Sequence, residues 1–340
     1  MKKYIIIYFV AILSSCNNNP SEKKEASMYK TIGSIERLDP ALDNIISPNA
    51  KIEIIADGFD WSEGPLWVEK YGMLLFSDIP PNTIYKWTEE KGKEVYLTPS
   101  GYTDTIKRDG EIGSNGLILD KDGNLVMCQH GDRRMARMDA ALDKPAPKFI
   151  TLADRYNGKR LSSPNDAVYN SAGELFFTDP PYGLETQDDK DPKKEIPFNG
   201  VYKVKANGQV ILLVDSITRP NGLAFLPGEK KLIIANSDPA KPYWYIYEVN
   251  GDSLINGKIF YSAAEEASKG VKGSPDGFKI DRNGNVFATG PGGVYIFNKE
   301  GKKLGLIKFD ESTSNCAFSA DEKTLYVTND MNLARIKLRD

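Results

Sequence analysis

Histidine is almost missing from this chain, with one in 340 residues, and cysteine is scarce, with three. A single imidazole excludes a zinc centre built on several histidines. Charge of one sign is also lacking: the net charge is −3. No basic field exists to attract nucleic acid or an acidic membrane surface, so no nucleic-acid partner is expected. The chain has no G-x-S-x-G elbow, P-loop or dinucleotide fingerprint, which leaves a serine nucleophile with a histidine partner unsupported. Long apolar runs are absent as well. Tyr4 to Leu13 is too short to span a bilayer comfortably.

That short run has a different meaning. Lys2 and Lys3 precede it and Leu13-Ser14-Ser15-Cys16 ends it, the order of a signal peptide followed by a motif that resembles the bacterial lipobox. Residues 1–16 are therefore expected to be a lipoprotein signal. Acyl chains on Cys16 would anchor the protein to a membrane of the bacterial cell envelope, each buried CH₂ contributing ~0.8 kcal/mol. Residues 17–46, which include the polar stretch "NNNPSEKKEAS", read as a flexible spacer. The remaining cysteines, Cys128 and Cys316, fall in different repeats and are expected to be separate buried thiols.

What the chain does have is aromatic residues weighted to Tyr and Phe, 29 Gly and 20 Pro, a mixture that favours strands and turns. It also has an internal repeat. "SEGPLWVEKYGMLLFSD" from Ser62, "SNGLILDKDGNLVMCQH" from Ser114 and "PNDAVYNSAGELFFTD" from Pro164 share one pattern. "PNGLAFLPGEKKLIIAN" from Pro220, "PDGFKIDRNGNVFATG" from Pro275 and "SNCAFSADEKTLYVTN" from Ser314 complete the set. Each has Pro or Ser, then Glu, Asn or Asp, then a short strand, a turn and a strongly apolar strand. The second position is Glu63, Asn115, Asn165, Asn221, Asp276 and Asn315, at steps of 52, 50, 56, 55 and 39 residues.

A period near 50 residues with about four strands predicts an all-β fold over 47–340: a six-bladed β-propeller of four-stranded antiparallel blades. A β-sandwich also contains hairpins but has no need of a polar position kept in phase. The last blade is one strand short, since only "NLARIKL" follows its hairpin. "KIEIIAD" from Lys51 precedes the first repeat and can complete it, which removes an open sheet edge.

The inner strand of each blade lines the channel, so the six phased residues should ring one mouth. Two carboxylates and four amides suit Ca²⁺, with Mg²⁺ and Mn²⁺ as alternatives and Zn²⁺ least suited. An Asx-turn role would account for Asn or Asp at a single copy but not for Glu63. "DKDGN" from Asp120 and "DRNGN" from Asp281 look like EF-hand starts but lack the Glu at loop position twelve, and are read as hairpin turns.

The phrases "SEGPLW", "LLFSDIPPNTIYKW", "SNGLILDKDGNLVMCQHGDRR", "LADRYNGKRLSSPNDAV", "FFTDPPYG", "RPNGLAF" and "SPDGFKID" resemble, in order, bacterial members of the gluconolactonase, senescence marker protein (regucalcin) and diisopropyl fluorophosphatase family. The resemblance covers roughly residues 47 to 338. It implies one catalytic divalent cation held by Glu63, Asn165, Asn221 and Asp276, and hydrolysis of a sugar lactone with Asp276 as the base. Phosphotriester hydrolysis on the same metal, or a propeller that only binds a glycan or protein, are the alternatives.

Asn115 and Asn315 are placed with the substrate by the register of the ring. The second strand of each hairpin returns to the same mouth at Asp78, His130, Asp179, Asn236, Gly290 and Asn329. His130 is thereby a candidate for substrate contact or proton transfer. Tyr182 of "DPPYG" is a candidate pocket wall. Arg133, Arg134 and Arg137 read as a solvated blade edge.

Overall fold

Each repeated phrase forms the inner hairpin of one blade. The structure, a computed structural model, describes residues 1 and 29–339. The signal segment, Cys16 and the first part of the expected spacer lie outside the described residues. In blade 1 the inner strand Ser62–Val68 pairs with Met73–Asp78, then Thr83–Thr88, then Gly92–Leu97. Blades 2, 3 and 4 repeat this order from Ser114, Ala167 and Pro220. Blade 5 starts at Phe278 and blade 6 at Asn315. Helix is confined to Ala264–Ser268 and two 3-10 turns among the described residues.

The second strand of a blade is buried from end to end, as in Met73–Asp78 and Val286–Gly290. It reads as a continuous apolar run because both of its faces are covered by neighbouring blades. Aromatic side chains join the blades. Trp244 of blade 4 lies 5.5 Å from Tyr295 of blade 5. Trp67 of blade 1 stacks on Tyr326 of blade 6 at 5.4 Å, across the seam where the ring closes.

Closure follows the expected route. Ile52–Asp57 pairs antiparallel with the last strand, Asn332–Lys337, bringing Ile52 opposite Ile336. The buried Arg335 of the last strand binds Glu53 at 2.7 Å, so an ion pair also links the two ends of the propeller.

The spacer expectation does not hold from residue 30 onward. Lys30–Ile32 adds a fifth strand to blade 6 and Ser34–Arg37 a fifth strand to blade 5. Leu42, Ile45 and Ile46, around the 3-10 turn Pro40–Asn44, enter the core between these blades. The polar composition around them masked a few well-spaced apolar residues, which are enough to dock a segment when two outer edges lie open to receive it.

The decoy motifs are turns: Asp120 Oδ1 accepts from the backbone of Asp122 and Asn124, and Asp281 Oδ1 from Asn283 and Asn285. Cys128 and Cys316 are buried and unpaired, in blades 2 and 6.

Candidate active site

The ring positions are aimed by a defect in the ladder. Pairing of the inner strand breaks register between Glu63 and Leu66, between Ser114 and Leu117, and between Pro220 and Leu223. Such a bulge bends the strand and turns the displaced side chain toward the channel. It also brings neighbouring inner strands very close. Gly64 sits at φ +54°, and a Cβ there would fall 2.2 Å from the carbonyl oxygen of Asn115 in the next blade. A Cβ on Gly277 would fall 2.0 Å from Cγ of Asn315. In the four blades where glycine follows the ring position, that glycine is therefore required by contact between blades.

A second device holds each entering loop. Asp78 Oδ1 accepts from the backbone N–H of Asp60 and Trp61, just before Glu63. Asp179 accepts from Ser162 and Ser163, just before Asn165. Asn236 Oδ1 accepts from Arg219, just before Asn221. These second-strand termini, expected at the mouth, serve as clamps that position the ring.

Glu63, Asn115, Asn165, Asn221 and Asp276 line a single cavity of about 320 Å³ at the mouth, together with Trp61, Glu111, Tyr182 and Ser237. The volume is at the low end of the range for small-molecule sites, roughly 300–1,000 Å³. The Tyr182 hydroxyl lies 2.6 Å from Ser237 Oγ, which fixes the phenol on the wall. So five of the six ring residues, and Tyr182, meet as the sequence predicts.

Two expected members sit elsewhere. Asn315 stands beside Glu63 but does not line the cavity. Its Nδ2 reaches Asp166 Oδ2 at 3.4 Å and its Oδ1 accepts from Lys279 Nζ at 3.1 Å. Its amide is packed tightly on Gly277, where a Cβ would clash with it. His130 does not line the cavity either. It is fully buried behind the wall, with Gly183 packed on its ring.

Arg133 also departs from expectation. It is buried, with its Nε donating to the carbonyl of Leu161.

Sequence reasoning missed two carboxylates. Asp166 takes the place that Gly holds in four blades, and its Oδ1 accepts from the backbone of Ala167 inside the channel. The substitution of Asp for a small residue in "SPND" was the available signal. Glu111 comes from the loop before blade 2, outside the repeat, where no phase argument reaches.

Burial of these acids with few cations nearby raises their pKa values. Glu63 is pushed up to about 8 by burial, reinforced by the Asp166 charge. Asp276 is pushed well above the usual range by burial and then by Glu63 and Asp166. Asp166 is raised by burial, and Glu111 is raised by burial to about 7. His130 falls to about 3, because burial and then Arg108 disfavour its charged form.

The fit to a cation can be tested on these residues. Asn115 Oδ1, Asn165 Oδ1 and Asp276 Oδ1 are buried with no hydrogen-bond partner. Orphaned buried oxygens are costly, about 1–3 kcal/mol each. Three of them beside Glu63 in one cavity form an oxygen donor set of the kind hard cations take. Among the described residues no group of three His, Cys, Asp or Glu side chains is set for a metal. The donors here are instead mixed carboxylate and amide, which fits Ca²⁺ and poorly fits Zn²⁺.

Residues 61–330 match the model of the SMP-30/gluconolactonase/LRE-like region. The chain belongs to this family. A gluconolactonase of Zymomonas mobilis is 38% identical over 315 residues, covering 91% of this chain and 87% of that one. A solved gluconolactonase from Xanthomonas campestris superposes with a TM-score of 0.77 at 28% identity, covering 92% of this chain and 96% of that one. A calcium-binding protein, regucalcin, from Agrobacterium tumefaciens shares the fold, with a TM-score of 0.64 at 16% identity over 84% of this chain and 94% of that one.

Proposed function

We propose that this protein is a lactonase that hydrolyses a sugar lactone with the help of one divalent cation, Ca²⁺ being the best match to the donors. The observation that carries the reading is the convergence of three partnerless buried oxygens, from Asn115, Asn165 and Asp276, with Glu63 in one polar cavity. Family membership and the gluconolactonase relatives support the reaction class.

Glu63, Asn165, Asn221 and Asp276 are the residues that would hold the cation. When bound, it would supply polarisation of the lactone carbonyl and stabilise the negative charge growing on that oxygen. Asp276 takes the proton of a water as its oxygen bonds to the carbonyl carbon. The bond from that carbon to the ring oxygen then breaks, Asp276 returns the proton to the ring oxygen, which leaves as a hydroxyl, and the product is the open hydroxy acid. Tyr182, pinned by Ser237, keeps one wall rigid and shields the reacting centre from bulk water. Asn115, one residue further round the ring, is free to accept from a substrate hydroxyl.

A pH-stat assay with several aldonolactones tests the proposal. Chelator-treated protein should lose at least ~100-fold of its turnover, in line with the contribution of a charge-stabilising group. Ca²⁺ should restore it better than Zn²⁺. Full activity in chelator would overturn the metal requirement. Phosphotriesters in the same panel should react slowly or not at all.

The lipid anchor is proposed on the N-terminal sequence alone: lipidated Cys16 would tether the propeller to the cell envelope, with residues 17–28 leading to the first strand. Cys16→Ser should move the protein from the membrane pellet to the soluble fraction and abolish labelling by a fatty-acid probe. Unchanged fractionation would reject the anchor.

A further inference from the structure

Glu111 is the one lining carboxylate that neither the ring nor the proposed cation set uses. It faces the cavity from the loop ahead of blade 2. Among the described residues no hydrogen-bond donor reaches its carboxylate, which is about one-quarter exposed (26%), and the neutral His130 ring stands behind it with Nδ1 3.7 Å from Oε2. His130 is itself fully buried, and its ring stands against the backbone of Glu111 with no other polar partner. The wall behind the pair is tight. A Cβ on Gly183 would lie 2.6 Å from His130 Cβ, and Arg108 Nη2 donates to the Gly183 carbonyl at 2.6 Å.

A carboxylate that faces a cavity with no protein donor is left to be satisfied by water or by a ligand. The imidazole behind it braces the Glu111 backbone and leaves both carboxylate oxygens without a protein donor. Those oxygens then accept from whatever enters the cavity. The complement of an acceptor pair of this kind is a pair of hydroxyl donors. An anionic ligand group is disfavoured, because Glu111 already repels Glu63 and Asp276 across the same space.

We propose that Glu111, backed by His130 as a positioning residue, forms a hydroxyl-binding subsite that selects polyhydroxylated lactones over unsubstituted ones. The inference rests on the lactonase reading and adds the part of the substrate that is recognised. A partly buried acceptor left without its donor penalises an analogue that lacks the hydroxyl, and this is how such sites discriminate.

The test compares D-glucono-δ-lactone with δ-valerolactone, which has the ring ester and no hydroxyls, on the full-length protein with cation present. Glu111→Ala should lower kcat/KM for the sugar lactone ~10–100-fold, the loss expected for hydrogen bonds to a charged group, mainly through KM. It should leave δ-valerolactone within about threefold. Glu111→Gln, which keeps one acceptor, should fall between. His130→Phe should shift selectivity the same way, and His130→Asn should recover part of it, which simple loss of packing would not produce. Equal losses on both lactones, or none on either, would overturn the subsite. If the wild type hydrolyses neither lactone, the lactonase reading fails. The subsite is then judged by NMR titration with D-sorbitol, where Glu111→Ala must weaken binding at least ~10-fold, and equal binding rejects it.

Discussion

Asp276→Asn should cut kcat for sugar-lactone hydrolysis by ~10²–10⁴-fold, the range for loss of a positioned general base, with the propeller intact. The amide matches the carboxylate in size, and Oδ1 of Asp276 has no protein partner to lose. Its charge is opposed by burial and by Glu63 and Asp166, so replacing it relieves repulsion in the cation-free protein. Thermal unfolding without cation should therefore occur at the same temperature or higher. The assay must be run at saturating cation, since one carboxylate donor is removed. Glu63→Gln is the control. Its cation affinity should fall while kcat returns at high cation, because Glu63 is assigned to binding alone. Asp276→Asn turning over within about threefold of wild type would remove Asp276 as the base.

Chelator-treated protein should become less stable as pH rises from about 5 to about 8, and added Ca²⁺ should reverse that trend. The carboxyl of Glu63 titrates near 8 in the fold, and those of Glu111, Asp166 and Asp276 are also raised, chiefly by burial. An unfolded Glu or Asp titrates near 4. Between those values the native state binds more protons than the unfolded chain. The slope of unfolding free energy with pH is then negative across the window, and it levels off above the folded pKa. Groups with depressed values act elsewhere: Asp252, lowered to about 2 by Lys203 and Lys205, favours the fold only above that acid limb. A cation favours the ionised carboxylates and competes with protons, so its effect on unfolding temperature should widen toward pH 8. At a hundredfold excess over Kd it contributes about 2.7 kcal/mol. Unfolding scans at pH 5, 6, 7 and 8, with chelator and with Ca²⁺, read this directly. A flat or rising chelator series would show that the buried acids do not meet as described.

The blade repeat was legible because the periodicity survives in each copy as turn, apolar strand and phased polar residue. The same phase located Glu63, Asn115, Asn165, Asn221 and Asp276 on one cavity. It failed at Asn315, whose amide is engaged by Asp166 and Lys279 and does not line the cavity. Phase carries no information about which neighbours engage a side chain, and here the tight contact with Gly277 helps to fix it. His130 failed for a related reason. A second-strand terminus in this fold holds the loop that precedes the ring residue of the same blade, as Asp78 and Asp179 do. Arg133, Glu111 and the 30–46 segment lie outside the repeat, so periodicity was silent on all three.

The sequence by itself determined the number of blades, the strand that closes the ring and the chemical type of most of the site, since these follow from period, register and donor atoms along one chain. Only the tertiary structure decided that Asp166 enters the channel, that Asn315 bonds to Asp166 off the cavity lining, that His130 stands behind Glu111, and that residues 30–37 widen blades 5 and 6. Each of those depends on how closely separate segments pack. The space left between them is a property of the assembled ring and of no local stretch.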